Sequence, residues 1–246
     1  MSAYSRAADY DALAELYGKA LAHAPDAATR RALERYKLAP FASDPERTLR
    51  CGRVYVMSMK PYARPGQRYP LGWEERAGRP GLHRWYDTAS ARSNFVREAD
   101  ALLRTVLRAL GEPDEPRDVF NTYATPFRAE DARQLTRFGL ARIAVDELHR
   151  RWLGVVQPEV VLCIGNGAAP SALATVARLL AFDLGACVRE EAAPRVFVKS
   201  TTCPEPAAWE RVGEPVRVVA VPHLSRVRAS MVEPAVVALL GGDGLP

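Results

Sequence analysis

Glu159-Val-Val-Leu-Cys-Ile164 carries one charge, at its start, with Pro158 before it and Gly165-Asn166-Gly167 after it. A short continuous apolar run closed by turn residues reads as a strand buried on both faces. Strands of that kind belong to parallel sheets, whose crossover connections lay helices on both sides. The spacing predicts companion strands at Val54–Met57, Arg117–Tyr123 and Val216–Val221, with a short fourth strand or edge at Arg195–Lys199. Helical periodicity fills the intervals, so the expected architecture is α/β: a three-layer sandwich with a central, mostly parallel four-stranded sheet flanked by helices.

Two helices are expected over residues 4–37, where Tyr10, Leu13, Leu16, Tyr17, Leu21, Leu33 and Tyr36 recur every three or four positions, with Asp26 as the second helix's cap. Residues 38–52, with Pro40 and Pro45, read as a connector. Residues 1–50 are thus an N-terminal helical extension packed on the core, and residues 51–246 the α/β domain. Phe95, Val96, Ala99, Leu102, Leu103, Val106 and Leu110 predict a helix over 88–110, stopped by Gly111. Leu135, Phe138, Ile143, Val145, Leu148 and Trp152 predict one helix over 130–153, and shorter helices are expected at 168–180 and 233–240. With 48% hydrophobic residues the chain has ample material for such a core.

The loop after the first strand stands out. Arg53 to Trp73 reads RVYVMSMKPYARPGQRYPLGW, and Pro61, Pro65, Gly66, Pro70 and Gly72 force an irregular path directly off the strand's carboxyl end. In open parallel sheets ligands bind beyond those ends. Residues 74–86 continue the irregular stretch, and a loop of that length is more often functional than idle. Within it Arg64, Arg68, Arg76, Arg79 and Arg84 alternate with Tyr69, Trp73, Trp85 and Tyr86. Arginine contacts phosphate and aromatic rings stack on bases; equally, the rings could plug a small satellite core.

Lys60-Pro61-Tyr62, Pro65-Gly66-Gln67, Leu71 and Trp73 resemble the water-activating loop of the uracil-DNA glycosylase superfamily, which usually runs Gln-Asp-Pro-Tyr-His-x-Pro-Gly-Gln followed by a Leu and an aromatic. Phe120-Asn121-Thr122 resembles that family's strand-end Asn, which reads the base. Pro222-His223-Leu224-Ser225 resembles its His-Pro-Ser loop. The resemblance implies base flipping and hydrolysis of an N-glycosidic bond in DNA. It implies Lys60 and His223 as catalytic positions and Met59, Pro61, Tyr62, Trp73 and Asn121 as the base pocket. It also implies Arg64, Gln67, Arg68, Gly165, Asn166, Ser225, Arg226, Val227 and Arg228 as the DNA contacts, with Val227 where an apolar wedge enters the stack.

Lys60 stands where the family carries its catalytic Asp or Asn. An ammonium beside a developing sugar cation has the wrong sign for that role. Three readings stay open: a desolvated Lys60 attacks the sugar as a nucleophile and adds a lyase step; Lys60 binds phosphate or base while Glu74, Glu75 or Asp87 handles the water; or hydrolysis is lost and the chain only binds DNA. The departures at Lys60, Ala63 and Leu224 point to a substrate other than plain uracil, a modified pyrimidine such as hypermodified cytosine of phage DNA, in repair or anti-phage defence. Lysine occurs only at 19, 37, 60 and 199 among 34 basic residues, so a lysine kept in this loop is informative.

The net charge of +5 and pI near 9.2 are compatible with a DNA partner. Gly165-Asn166-Gly167 lacks the third glycine and the acidic partner of a dinucleotide fingerprint, so no nucleotide cofactor is expected. Cys51, Cys163, Cys187 and Cys203 have no CxxC spacing, so neither zinc nor an iron–sulfur cluster is expected; Cys163 reads as a core thiol. No apolar run reaches membrane-spanning length and the first residues lack a signal-like core. A cytoplasmic monomer with no cofactor and no membrane partner is the expectation.

Overall fold

The computed structural model describes residues 6–78, 81–88, 93–137, 145–167, 170–184, 188–190, 196–202 and 215–241. Along the chain, α1 (Arg6–Ala22), α2 (Ala27–Tyr36) and α3 (Pro45–Thr48) precede β1 (Val54–Ser58). Then come α4 (Gly72–Ala77), α5 (Arg84–Asp87), α6 (Asn94–Ala109), β2 (Phe120–Tyr123), α7 (Ala132–Arg137), α8 (Asp146–Val156) and β3 (Val160–Ile164). The last elements are α9 (Ala172–Leu179), β4 (Val188–Glu190), β5 (Val196–Thr202), β6 (Pro215–Val221) and α10 (Glu233–Gly241).

Strand order is β2-β1-β3-β6-β5-β4. The first four are parallel, in the register Tyr55↔Phe120, Val56↔Leu162 and Leu162↔Val219. This is the parallel four-stranded centre that the apolar runs predict. The strand expected at 195–199 runs antiparallel to β6, and β4 extends the sheet in the same sense. Among the described residues the sheet therefore has six strands, the parallel four, the expected edge β5, and β4, which the sequence did not suggest; β4 is only three residues long, too short to show a hydrophobic pattern.

Two apolar layers cover the sheet. Tyr55, Met57, Phe120, Val161, Cys163, Val218 and Ala220 face Leu13, Leu33, Leu148, Trp152 and Val176. Val54, Val56, Tyr123, Leu162, Ile164, Val219 and Val221 face Val96, Ala99, Leu103, Val106, Val236 and Leu240. Side chains alternating between the two layers, all buried, are what a continuous apolar strand requires. Complete burial of each Val, Leu or Phe contributes about 1.5–3 kcal/mol relative to exposure. Leu13, Leu33, Leu38 and Phe41 share the first layer with β1, so α1, α2 and the segment after them pack on that face of the sheet.

Local chemistry sets several boundaries. Asp26 caps α2 by accepting from the Thr29 N–H at 2.6 Å, and Ser93 caps α6 through Val96. That cap starts α6 at Asn94 rather than near 88, and Gly111 (φ +70) ends it. The single helix expected over 130–153 is instead α7 and α8, with Val145 in a non-helical conformation before the second; Phe138 and Ile143 lie outside the described residues. Arg79, Cys187 and Cys203 also lie outside them. The stretch 74–86 holds α4 and α5: Glu74 accepts the Leu71 N–H at 2.8 Å and Asp87 accepts the His83 N–H at 2.8 Å. Residues 38–43 are more than a connector, for Leu38 bridges Phe127 and Phe41 bridges Thr122 in antiparallel fashion at β2's outer edge. No helix among the described residues is long and apolar enough to cross a membrane.

Candidate functional site

Beyond Ser58 the chain leaves β1 but keeps its neighbour. The Ala124 N–H donates to the Ser58 carbonyl at 2.7 Å, Thr125 to Met59 at 3.1 Å and Ala129 to Pro61 at 3.3 Å, while Ala63 donates to Ala129 at 3.1 Å. Met59 to Ala63 therefore lies alongside Ala124 to Ala129 as a frayed continuation of the parallel ladder. This backbone pairing fixes Lys60. Its half-buried ammonium donates to the Ala129 carbonyl and lies 5.6 Å from the Tyr62 ring centre. Burial lowers the Lys60 pKa to about 8, with Asp131 and Glu130 pulling the other way. Pro61 is buried, Met59 half-buried, and Tyr62 is 57% exposed.

His223 follows β6. Its Nδ1 accepts the Ser225 N–H at 3.3 Å and lies 2.8 Å from Ser225 Oγ. A backbone N–H can only donate, so Nδ1 is the unprotonated nitrogen and Nε2 carries the proton. The imidazole stacks on Phe95 at 4.9 Å, 26° from parallel, and Phe95 packs edge-on against Trp85. Burial, then Lys60 and Arg226, lower the His223 pKa to about 4, so the ring is neutral at pH 7. His223 thus feels the charge of Lys60.

The strand order puts the end of β3 between them. Gly165 occupies that end, buried, with φ +122 and its N–H bonded to the Val221 carbonyl at 2.9 Å. Only glycine adopts that conformation readily. A Cβ there would meet nothing within 4 Å. Gly165 is thus a buried backbone position with open space where a side chain would go, between the chain ends of β1 and β6. Asn166 beside it is half-buried and Gly167 exposed.

Asn121 is not at the strand end. It pairs with Val56 inside the sheet and is 1% exposed. Its backbone is held from residues 42–43: the carbonyl accepts from Ala42 (2.9 Å) and Ser43 (3.2 Å), and its N–H donates to Ser43 Oγ at 2.9 Å. Phe120 faces the first layer and Tyr123 the second, so alternation puts the Asn121 side chain on the second, the layer of Phe95 and Trp85. Its Oδ1 is buried without a hydrogen-bond partner, and so is the Thr125 hydroxyl. Each such group costs about 1–3 kcal/mol unless something satisfies it. An amide with unused hydrogen-bonding capacity can match the edge of a pyrimidine.

Trp73 lies elsewhere. It packs on the first layer and tilts against Tyr10 at 5.9 Å, while Gly72 sits where a Cβ would come within 3.1 Å of Ala39 and Pro40. The aromatic ring beside His223 is Phe95, which helical periodicity assigned to the core stripe. Around the loop Arg64, Gln67 and Arg68 are exposed, but Arg84 is buried and Trp85 packs into the second layer of the main core. Glu75 binds Arg84 and, at 2.9 Å, Arg128, whose guanidinium also donates to Tyr36 and Pro70 carbonyls and lies over Tyr69. Burial lowers the Arg128 pKa to about 9, with Arg84 adding to it. This cluster holds the loop in place.

Glu74, Glu75 and Asp87 are thereby committed elsewhere: Glu74 to Leu71 and, at 3.8 Å, Lys37; Glu75 to the two arginines; Asp87 to His83 and Arg117. The carboxylates acting on Lys60 are instead Glu130 and Asp131, which follow β2 and carry no motif; Glu130 accepts from Tyr36 OH. Ser225, Arg226 and Arg228 are exposed, whereas Val227 packs half-buried on the second layer. No cluster of His, Cys, Asp or Glu among the described residues could hold a metal ion. No family model and no curated protein matches the chain.

Proposed function

We propose that this chain is a DNA glycosylase of the uracil-DNA glycosylase kind, which flips a uracil-related or modified pyrimidine out of DNA and hydrolyses its N-glycosidic bond. The observation that carries the reading is the neutral His223, whose Nε2–H has no partner among the described residues and which follows β6 at the carboxyl edge of the sheet, one strand from Gly165. Cleavage leaves negative charge on the departing base, and a preorganised N–H aimed at its carbonyl oxygen stabilises that charge as it develops. The Asn121 amide supplies a match for a base edge. Phe95, beside His223, is the ring available for stacking, and exposed Arg64, Arg68, Arg226 and Arg228 border the same edge as phosphate contacts. An aromatic ring and an ammonium in place of a carboxylate favour a substrate other than plain uracil.

The test is base release. DNA carrying uracil, hypoxanthine, or hydroxymethylated or glucosylated cytosine is incubated with the protein, and the freed base is identified by mass. Release that falls on the order of 100-fold or more in His223→Ala, with DNA affinity retained, supports the reading. A second reading, a DNA-binding protein without turnover, is favoured by the ammonium of Lys60. DNA binding with no base released from any substrate would select it.

A further inference from the structure

Among the lysine side chains described, Lys19 pairs with Glu15 and Lys37 with Glu74, but Lys60 has no carboxylate within ion-pair distance. It donates to one backbone carbonyl, that of Ala129, and stands half-buried at the carboxyl edge of the sheet, beside the Tyr62 ring and near enough to His223 for its charge to lower that residue's pKa. The Ala129 bond uses one N–H and fixes the direction of the chain; the nitrogen lone pair of the neutral amine remains available. An amine so placed can attack an electrophilic carbon brought to that edge.

We propose that Lys60 forms an imine with the ring-opened deoxyribose of an abasic site in DNA, which rests on the glycosylase reading for why such a sugar reaches that edge. The amine nitrogen adds to the C1′ aldehyde; the carbinolamine loses water, and a C=N bond replaces the C=O. The imine acidifies C2′–H. That proton passes to water, the C3′–O bond breaks, and the 3′-phosphate leaves as the 5′-phosphate end of the downstream strand. Hydrolysis of the unsaturated imine returns Lys60 as the free amine. No oxidant, metal or cofactor enters the balance. Lys60 is thereby a catalytic residue for strand cleavage after base release.

The groups around the amine suit this. His223 is neutral at pH 7, while Glu130 and Asp131 are near enough to steady a cationic imine without pairing with the resting amine. With the Lys60 pKa lowered to about 8, roughly a tenth of the amine is neutral at pH 7, against about one part in 3000 for an ordinary lysine.

The experiment uses a duplex with a preformed abasic site, so base release is not needed. The full chain is mixed with it in sodium borohydride, which reduces the imine to a stable amine, and the adduct is mapped by peptide mass. An adduct on Lys60, absent in Lys60→Met and rising steeply between pH 6 and pH 8, is the expected result. Strand cleavage 3′ to the abasic site should follow the same pattern without borohydride. An adduct on another amine, or equal trapping in Lys60→Met, overturns the proposal. If base release occurs but no adduct forms, this inference fails and the glycosylase reading stands; an adduct on Lys60 without release of any base overturns that reading and leaves Lys60 an abasic-site nucleophile.

Discussion

Removing the charge of Lys60 should make the protein more stable. In the folded chain burial lowers its pKa from 10.5 to about 8; in the unfolded chain it keeps its ordinary value. Below pH 8 both states are protonated and the folded state carries a constant penalty. Between pH 8 and 10.5 the unfolded state binds more proton, so stability rises with pH and the penalty disappears above that window. A shift of that size corresponds to about 3 kcal/mol at pH 7, falling to about 1 kcal/mol at pH 9.5. Lys60→Met is close in length and keeps the packing of the stem. It gives up the bond to Ala129, worth about 1 kcal/mol. The variant should therefore be more stable than the parent by about 2 kcal/mol at pH 7 and equal to it near pH 9.5. Urea denaturation of both proteins at the two pH values measures this, because the midpoint moves while the slope does not. A variant less stable at pH 7, or a difference that does not change with pH, would refute the claim that Lys60 is held desolvated. A charge kept at a cost in stability is the pattern expected of a functional group.

Three further outcomes follow from the same structure. Long-range 15N NMR of His223 should show the Nε2–H tautomer and no protonation down to about pH 5, since burial, Lys60 and Arg226 all lower its pKa toward 4; a midpoint near 6.5 would contradict the geometry. Glu75→Ala leaves two buried guanidiniums, Arg84 and Arg128, without their carboxylate and should cost about 3–5 kcal/mol, seen as a large drop in thermal midpoint. Ser43→Ala strips the buried Asn121 N–H of its acceptor and should cost about 1–3 kcal/mol in urea denaturation.

The central strands β1, β3 and β6 were legible as short, β-branched and largely apolar runs between turn residues, each within a residue or two of expectation, whereas β2 (Phe120-Asn-Thr-Tyr) was placed only by the turn residues before it. The loop after β1 was legible as irregular, but its two short helices were not. They exist because Glu74 and Asp87 accept N–H groups at their starts and because Glu75 joins Arg84 to Arg128, contacts between residues that periodicity does not relate. The antiparallel edge of β4 and β5 was only half visible, as edge strands are short and weakly patterned. In the site, Lys60 and His223 were singled out from a motif order, and the charge of Lys60 reaches His223. Trp73 was misplaced by the same reasoning, because Gly72 packs against Ala39 and Pro40 and its helix turns the indole toward Tyr10.

Local sequence was enough for the class of fold. Burial on both faces demands continuous apolar strands, and a parallel pair demands a helical crossover, so that pattern has few other solutions. The electrostatics of the site needed the tertiary structure. Whether Lys60 is an ordinary surface cation or an amine poised near pH 8 depends on how much water reaches it. So does whether Asn121 keeps an unspent acceptor, and whether His223 is neutral. Those depend on Ala129, Ser43 and Phe95, each distant in the chain from the group it governs. Desolvation is a property of the packed surroundings, and no residue carries it in its own identity.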